Sequence, residues 1–302
     1  MALSMRMNLA GALAKNGDLA WGIDELKRAV GEMDAMGRGR TIGAATFHNN
    51  LAVLLFRAGD PMASLLEAEK AARIYGDPMT DPSFPVPLLA TLTEQLLAIG
   101  RPQEATVLHE RGQRLAAQRG DTRTAAYAAV GFNHCPAGQA ARCDQRLAEA
   151  RRALAAFAPP QHVSFGSLEM VVGELALARG ELQAAHAALL RALVIFDAAP
   201  TPPPQRTRAA ALLARTELAL GHLDAATARV AQAVIQARVQ AKGFAHSQWL
   251  GNALLAQGLV EQARGEATAA QASWREALAQ LQATVGEMAP ATAEARELLA
   301  RR

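Results

Sequence analysis

Seven glycines stand 38 to 44 residues apart along this chain, and each opens the same short pattern. The turns are Gly17-Asp18-Leu19, Gly59-Asp60-Pro61, Gly100-Arg101-Pro102, Gly138-Gln139-Ala140, Gly180-Glu181-Leu182, Gly221-His222-Leu223 and Gly265-Glu266-Ala267. Five residues after the glycine stands Gly22, Ser64, Ala105, Cys143, Ala185, Ala226 or Ala270. Twelve after it stands Ala29, Ala71, Gly112, Ala150, Ala192, Ala233 or Ala277. A self-similar period of this length marks stacked units sharing one continuous core, so the repeat overrides the two-domain expectation that 302 residues would otherwise raise.

The residues before each turn read as one helix and those after it as a second. In the second unit, Leu51, Leu54, Leu55 and Ala58 recur at helical spacing ahead of Gly59. Pro61 suits a first helical position, and the helix it opens is expected to reach about Tyr75. Glycine at the turn can take the left-handed conformation that closes a helix. The two small positions lie two helical turns apart on one face of the second helix, where they let its partner approach closely.

The pattern resembles the tetratricopeptide repeat. Seven residues before the glycine, Ala10, Ala52, Gly173, Ala214 and Gly258 fit that family's small position in the first helix, and Thr93 and Gly131 fit it approximately. The period averages near 41 residues, His48-Asn49-Asn50-Leu51-Ala52-Val53-Leu54-Leu55 resembles the asparagine-bearing first helix of the kinesin-light-chain subtype, and the run from Val285 to Ala293 resembles its link. The resemblance implies an all-α fold: a right-handed α-solenoid of about seven helix pairs with a C-terminal capping helix. The expected units are 1–38, 39–80, 85–120, 121–158, 162–199, 204–242 and 243–286, with a cap at 290–302, in one domain. The fourth is the short one, with room for a first helix only from about Arg123 to Phe132 before Asn133-His134-Cys135-Pro136.

Composition narrows the function. Hydrophobic residues make up 51% of the chain but aromatics only 4%, which suits close helix packing better than a ring-lined pocket. No run of about 18 apolar residues implies a membrane span, and Met1 to Asn8 lacks the layout of a secretory signal. Two cysteines do not make a disulfide scaffold, so a cytoplasmic location with reduced thiols is expected. The repeats begin almost at Met1, which suggests a segment cut from something longer. Net charge is only +3, and the basic residues are scattered, without the arginine and aromatic stripe of a nucleic-acid binder.

The proline-rich stretches, residues 76–87, Pro159-Pro160 and residues 200–204, fall at unit boundaries and read as stiff spacers. His134, Cys135 and Cys143 match no zinc spacing, and Cys143 occupies a small-residue position, so it is expected to pack as a hydrophobe. No phosphate-binding loop or nucleophile elbow occurs. The chain is therefore read as non-catalytic, without metal or cofactor.

Candidate binding residues come from the register. Asn8 and Asn50 both stand nine residues before their turn glycines, so they face the same way. In the resembled subtype, such asparagines line the concave groove and hold a peptide backbone; the alternative is hydrogen bonding between neighbouring helices. Thr91, Val171, Leu212 and Ala256 continue the row without asparagine. With Asn49, the positions one turn away supply Thr46, Lys15, Arg57, Glu94, Gln95, Glu174, Arg208, Arg215, Thr216 and Asn252. Lys15 and Arg57 favour acidic character in a peptide at the first two units. Trp249 is expected either exposed as an anchor or covered by the sixth unit.

The expected function is a scaffold holding a protein or peptide segment in the concave face, without nucleic acid or membrane as partner. Alanine-rich repeats of this subtype are similar to the repeat regions of bacterial multidomain signalling proteins. Two further readings are a small-molecule-sensing regulatory module and self-assembly through the end repeats. Leu298 and Leu299 are placed for burial under a polar cap, whereas Leu3, Met5, Met7 and Leu9 leave apolar surface at the other end. The chain is thus expected as a monomer or weak homodimer.

Overall fold

The computed structural model describes residues 3–15, 17–135 and 138–301; the side chains of residues 3, 4, 14 and 15 lie outside the description. The described residues form fifteen α-helices and no strand. The pairs are α1 (Leu3–Lys15) with α2 (Leu19–Ala35), α3 (Ile42–Ala58) with α4 (Pro61–Tyr75), and α5 (Val86–Ala98) with α6 (Pro102–Gln118). Then come α7 (Thr122–Gly131) with α8 (Ala140–Ala155), α9 (Val163–Ala178) with α10 (Leu182–Asp197), and α11 (Gln205–Ala219) with α12 (Leu223–Gln240). The last pair is α13 (Gln248–Ala263) with α14 (Ala267–Thr284), followed by the single helix α15 (Pro290–Ala300). The fold is an all-α stack of seven helix pairs with a final helix.

The local rules work at each turn. All seven turn glycines sit at φ between 76° and 92°, the left-handed region that reverses the chain without a Cβ clash. Asp18 and Asp60 then accept from the backbone N–H groups of Trp21 and Ala63 and cap the second helices of their pairs. The small positions are buried in every unit. A Cβ added at Gly173 would lie 2.6 Å from Leu189 Cγ, so the small residue sets how closely α9 and α10 approach.

Two acids are buried between helices with their partners. Glu169 of α9 receives Arg151 of α8 and Arg191 of α10, the latter at 2.8 Å. Glu217 of α11 receives Arg229 of α12 at 2.9 Å. These pairs tie neighbouring helices at fixed register.

The thiols depart from expectation. Cys135 and Cys143 form a disulfide, their Cα atoms 6.0 Å apart. The shortness of α7 explains this, because its irregular exit brings Cys135 back onto the first turn of α8. Cys143 is still buried at its small-residue position. No group of three or more metal-ligating side chains occurs among the described residues.

The stack also closes on itself. Antiparallel pairs place their turns along one edge and the links between pairs along the other. After seven units the links of the late pairs meet the turns of the early ones. The backbone N–H of Gln248 donates to the carbonyl of Gly59 at 2.8 Å, and Trp249 Nε1 donates to the carbonyl of Arg57 at 2.9 Å. The rings of Phe56 and Trp249 meet edge to face at 6.0 Å. Phe244 packs on the core of the first two units. A Cβ at Gly59 would fall 2.8 Å from Trp249 Cδ1, and one at Gly100 would fall 2.8 Å from the carbonyl carbon of Met288. Trp249 is therefore buried rather than exposed, and the second unit supplies part of its cover.

Candidate functional site: the central cavity

Closure leaves a cavity of about 740 Å³ along the inner face. The first helices from α3 to α13 converge on it, and α14 and α15 complete the wall. Register explains which side chains point inward. The row six residues before the turn glycine contributes Glu94, Glu174 and Arg215, and the row thirteen before contributes Ser167, Arg208 and Asn252. The row nine before contributes Val171 and Leu212. Three and four residues apart on a helix share a face, so these rows form one stripe.

The cavity wall carries both signs. Arg208 pairs with Glu174, whose other oxygen accepts from Asn133 Nδ2 at 3.0 Å. Arg215 donates two hydrogen bonds, of 2.7 and 3.1 Å, to Glu294 of α15. Such a forked arginine–carboxylate pair fixes both side chains. Glu94 stands apart, with no hydrogen bond or ion pair among the described residues. Burial pushes its carboxyl up to about 7. Burial and the charge of Arg146 lower the imidazole of His134, which also lines the cavity. Gln248 also lines the cavity; it is 5% exposed, and its Nε2 has no hydrogen-bond partner.

Of the residues singled out from sequence, Glu94, Arg208, Arg215 and Asn252 line this cavity, as does Glu174. Gln95 does not: one residue is 100° of helix, and Gln95 is buried in the stack, donating to Ser64 Oγ at 2.5 Å. Thr216 is likewise buried and donates to the carbonyl of Leu212 at 2.9 Å. Asn8 is exposed on α1, and Asn49, Asn50 and Thr46 are half-buried on α3, outside the cavity. Thr46 donates to the carbonyl of Ile42 at 3.1 Å. Arg57 is half-buried beside Phe56, and burial lowers its guanidinium. The side chain of Lys15 lies outside the described residues. Sequence reasoning missed Gln248, Asn133 and Glu294. From sequence the capping helix reads as an end piece, and no local signal places its Glu294 opposite Arg215.

No protein-family model matches the chain, and no curated protein matches it in sequence. Solved structures share its fold. A Rap protein complexed with Competence and Sporulation Factor superposes with a TM-score of 0.63 at 15% identity, over 95% of this chain and 76% of that one. The APC/C hetero-tetramer Cut9–Hcn1 superposes at 0.58 and 15% identity, over 97% of this chain and 48% of that one. The chain is similar to these tetratricopeptide-like helical repeat proteins in architecture. No helix among the described residues is long and apolar enough to cross a membrane.

Proposed function

We propose that the chain is a non-catalytic scaffold that holds a short peptide, or the tail of a protein, in its central cavity. The convergence of six inner helices on one cavity of about 740 Å³ carries the reading. That volume falls within the range of roughly 300–1,000 Å³ typical of sites that enclose a compact ligand. Met170, Val171 and Leu212 offer apolar wall, while Asn252 and the two arginine–glutamate pairs offer donors and acceptors to peptide groups. The same helical face continues to Thr46, Asn49, Asn50 and Asn8, which we assign to a flank where Lys15 and Arg57 favour an acidic stretch of partner. In the Rap structure, a solenoid of this fold is complexed with Competence and Sporulation Factor, which supports a bound factor as the cargo here. The period and first-helix asparagines support the kinesin-light-chain-like subtype, and with it the interaction or sensor region of a bacterial signalling protein. A small molecule is the second reading, favoured by the same cavity volume.

Selection of displayed random peptides on the full chain tests the first reading. Ser167→Trp fills the cavity from an inward-facing position. It is expected to abolish capture while unfolding at the same temperature as the parent chain. Peptides that bind the variant equally well would place the site elsewhere.

A further inference from the structure

The cavity wall is balanced except at one place. Glu174 and Glu294 each have an arginine, whereas Glu94 of α5 has none. The backbone makes room for this carboxylate. A Cβ at Gly131 of α7 would lie 2.9 Å from Glu94 Cδ, so the glycine keeps α7 clear of it. A second orphan shares the cavity, the enclosed Nε2 of Gln248. An ionised carboxylate without a partner in such a place is costly, and a cation placed beside it recovers that cost. We infer that the cavity takes a ligand bearing a primary ammonium or guanidinium group, which pairs with Glu94. This rests on the cavity being the peptide site, and the group is then a lysine or arginine side chain of the bound peptide. A free polyamine carries the same group and is separated by the test.

The charged and titratable groups around the cavity besides Glu94 are Tyr127 from α7, His134 from the α7–α8 link, Glu174 from α9, Arg208 and Arg215 from α11, and Glu294 from α15. The four ions among them form two neutral pairs, so the balance at Glu94 is left to the ligand. Burial holds the Glu94 proton up to about 7, so binding of a cation releases that proton. Affinity for the basic group therefore rises with pH through that region.

The experiment is a positional-scanning hexapeptide library captured on the full chain and on Glu94→Gln, at pH 5.5 and pH 8, with spermidine and agmatine as competitors. Thermal unfolding of the variant checks its fold. The expected result is enrichment of lysine or arginine at one position by roughly tenfold, stronger at pH 8 and lost in Glu94→Gln. Gly131→Ala, which crowds the carboxylate but keeps its charge, should weaken the same preference. Captured peptides without a basic preference, or a preference unchanged in Glu94→Gln, overturn the inference while leaving the peptide site standing. Spermidine or agmatine binding that depends on Glu94, with no peptide captured, overturns the peptide reading and supports the cationic site. Failure of every probe to bind overturns both.

Discussion

Trp249 Nε1 donates a 2.9 Å hydrogen bond to the backbone carbonyl of Arg57, 192 residues away in sequence. The indole also meets the Phe56 ring edge to face at 6.0 Å and forms part of the cavity wall. One side chain thus joins the seventh unit to the second and shapes the cavity between them. Trp249→Phe keeps most of the packing and loses the donor, at a cost of about 1 kcal/mol. Trp249→Ala removes both and should cost about 3–5 kcal/mol, with a larger radius of gyration in small-angle scattering. An unchanged radius in Trp249→Ala would show that the closure does not depend on this residue.

The buried acid of the sixth unit gives a second test. Glu217 is 2% exposed and accepts from Arg229 Nε and Nη2. Glu217→Ala leaves the arginine at an interhelical site without its partner. Chemical unfolding should show a loss of about 3 kcal/mol, with part recovered in the double variant Glu217→Ala/Arg229→Met. Equal losses in the single and double variants would mean that leaving Arg229 without its partner carries no cost.

Ala192 reports on the repeat register. It stands twelve residues after Gly180 and is 0% exposed, in the core shared by α10 and its neighbours. Leucine there overpacks the contact, and denaturation should register a loss of about 1–3 kcal/mol. A midpoint equal to that of the parent chain would contradict the packing face assigned to the second helices.

Glu94 makes stability depend on pH in a defined direction. Its carboxyl is raised from an ordinary 4.5 to about 7 in the folded chain. The folded state therefore holds this proton more tightly than the unfolded state. The resulting stability is fully present below pH 4.5 and is lost as pH rises through about 7. Relative to the parent chain, Glu94→Gln should be equally stable at pH 4. At pH 8 it should be more stable by at most about 3 kcal/mol, reduced by screening from cavity water. Parallel stability curves for the two proteins would contradict the half-buried, unpaired carboxylate.

Much of the fold is written locally. A glycine fixed at positive φ, followed by small residues at two set distances, specifies a helix pair and its packing face. Repetition of that phrase specifies the stack. The same register points Glu94, Arg208, Arg215 and Asn252 inward, because an inward row stays inward from unit to unit. What the register lacks is any term for contacts one full turn of the solenoid away. The docking of Trp249 on Arg57 depends on small rotations accumulated over five units, and no residue encodes it alone. The pairing of Glu294 with Arg215 and the disulfide of Cys135 with Cys143 were hidden for a related reason. Both lie where the repeat breaks, in the final helix and in the short fourth unit.

Spin labels at Met62 and Met288 test the closed ring most directly. Both side chains are exposed, and the link that carries Met288 lies against Met62, since a Cβ at Gly286 would fall 3.2 Å from its Sδ. In a background with Cys135 and Cys143 replaced by alanine, Met62→Cys and Met288→Cys are labelled and their separation is measured by pulsed electron spin resonance. Closure predicts one short, narrow distance distribution, broadened when Trp249→Ala is added. A broad distribution at long distance in the otherwise unaltered chain would show an open solenoid and contradict the central cavity.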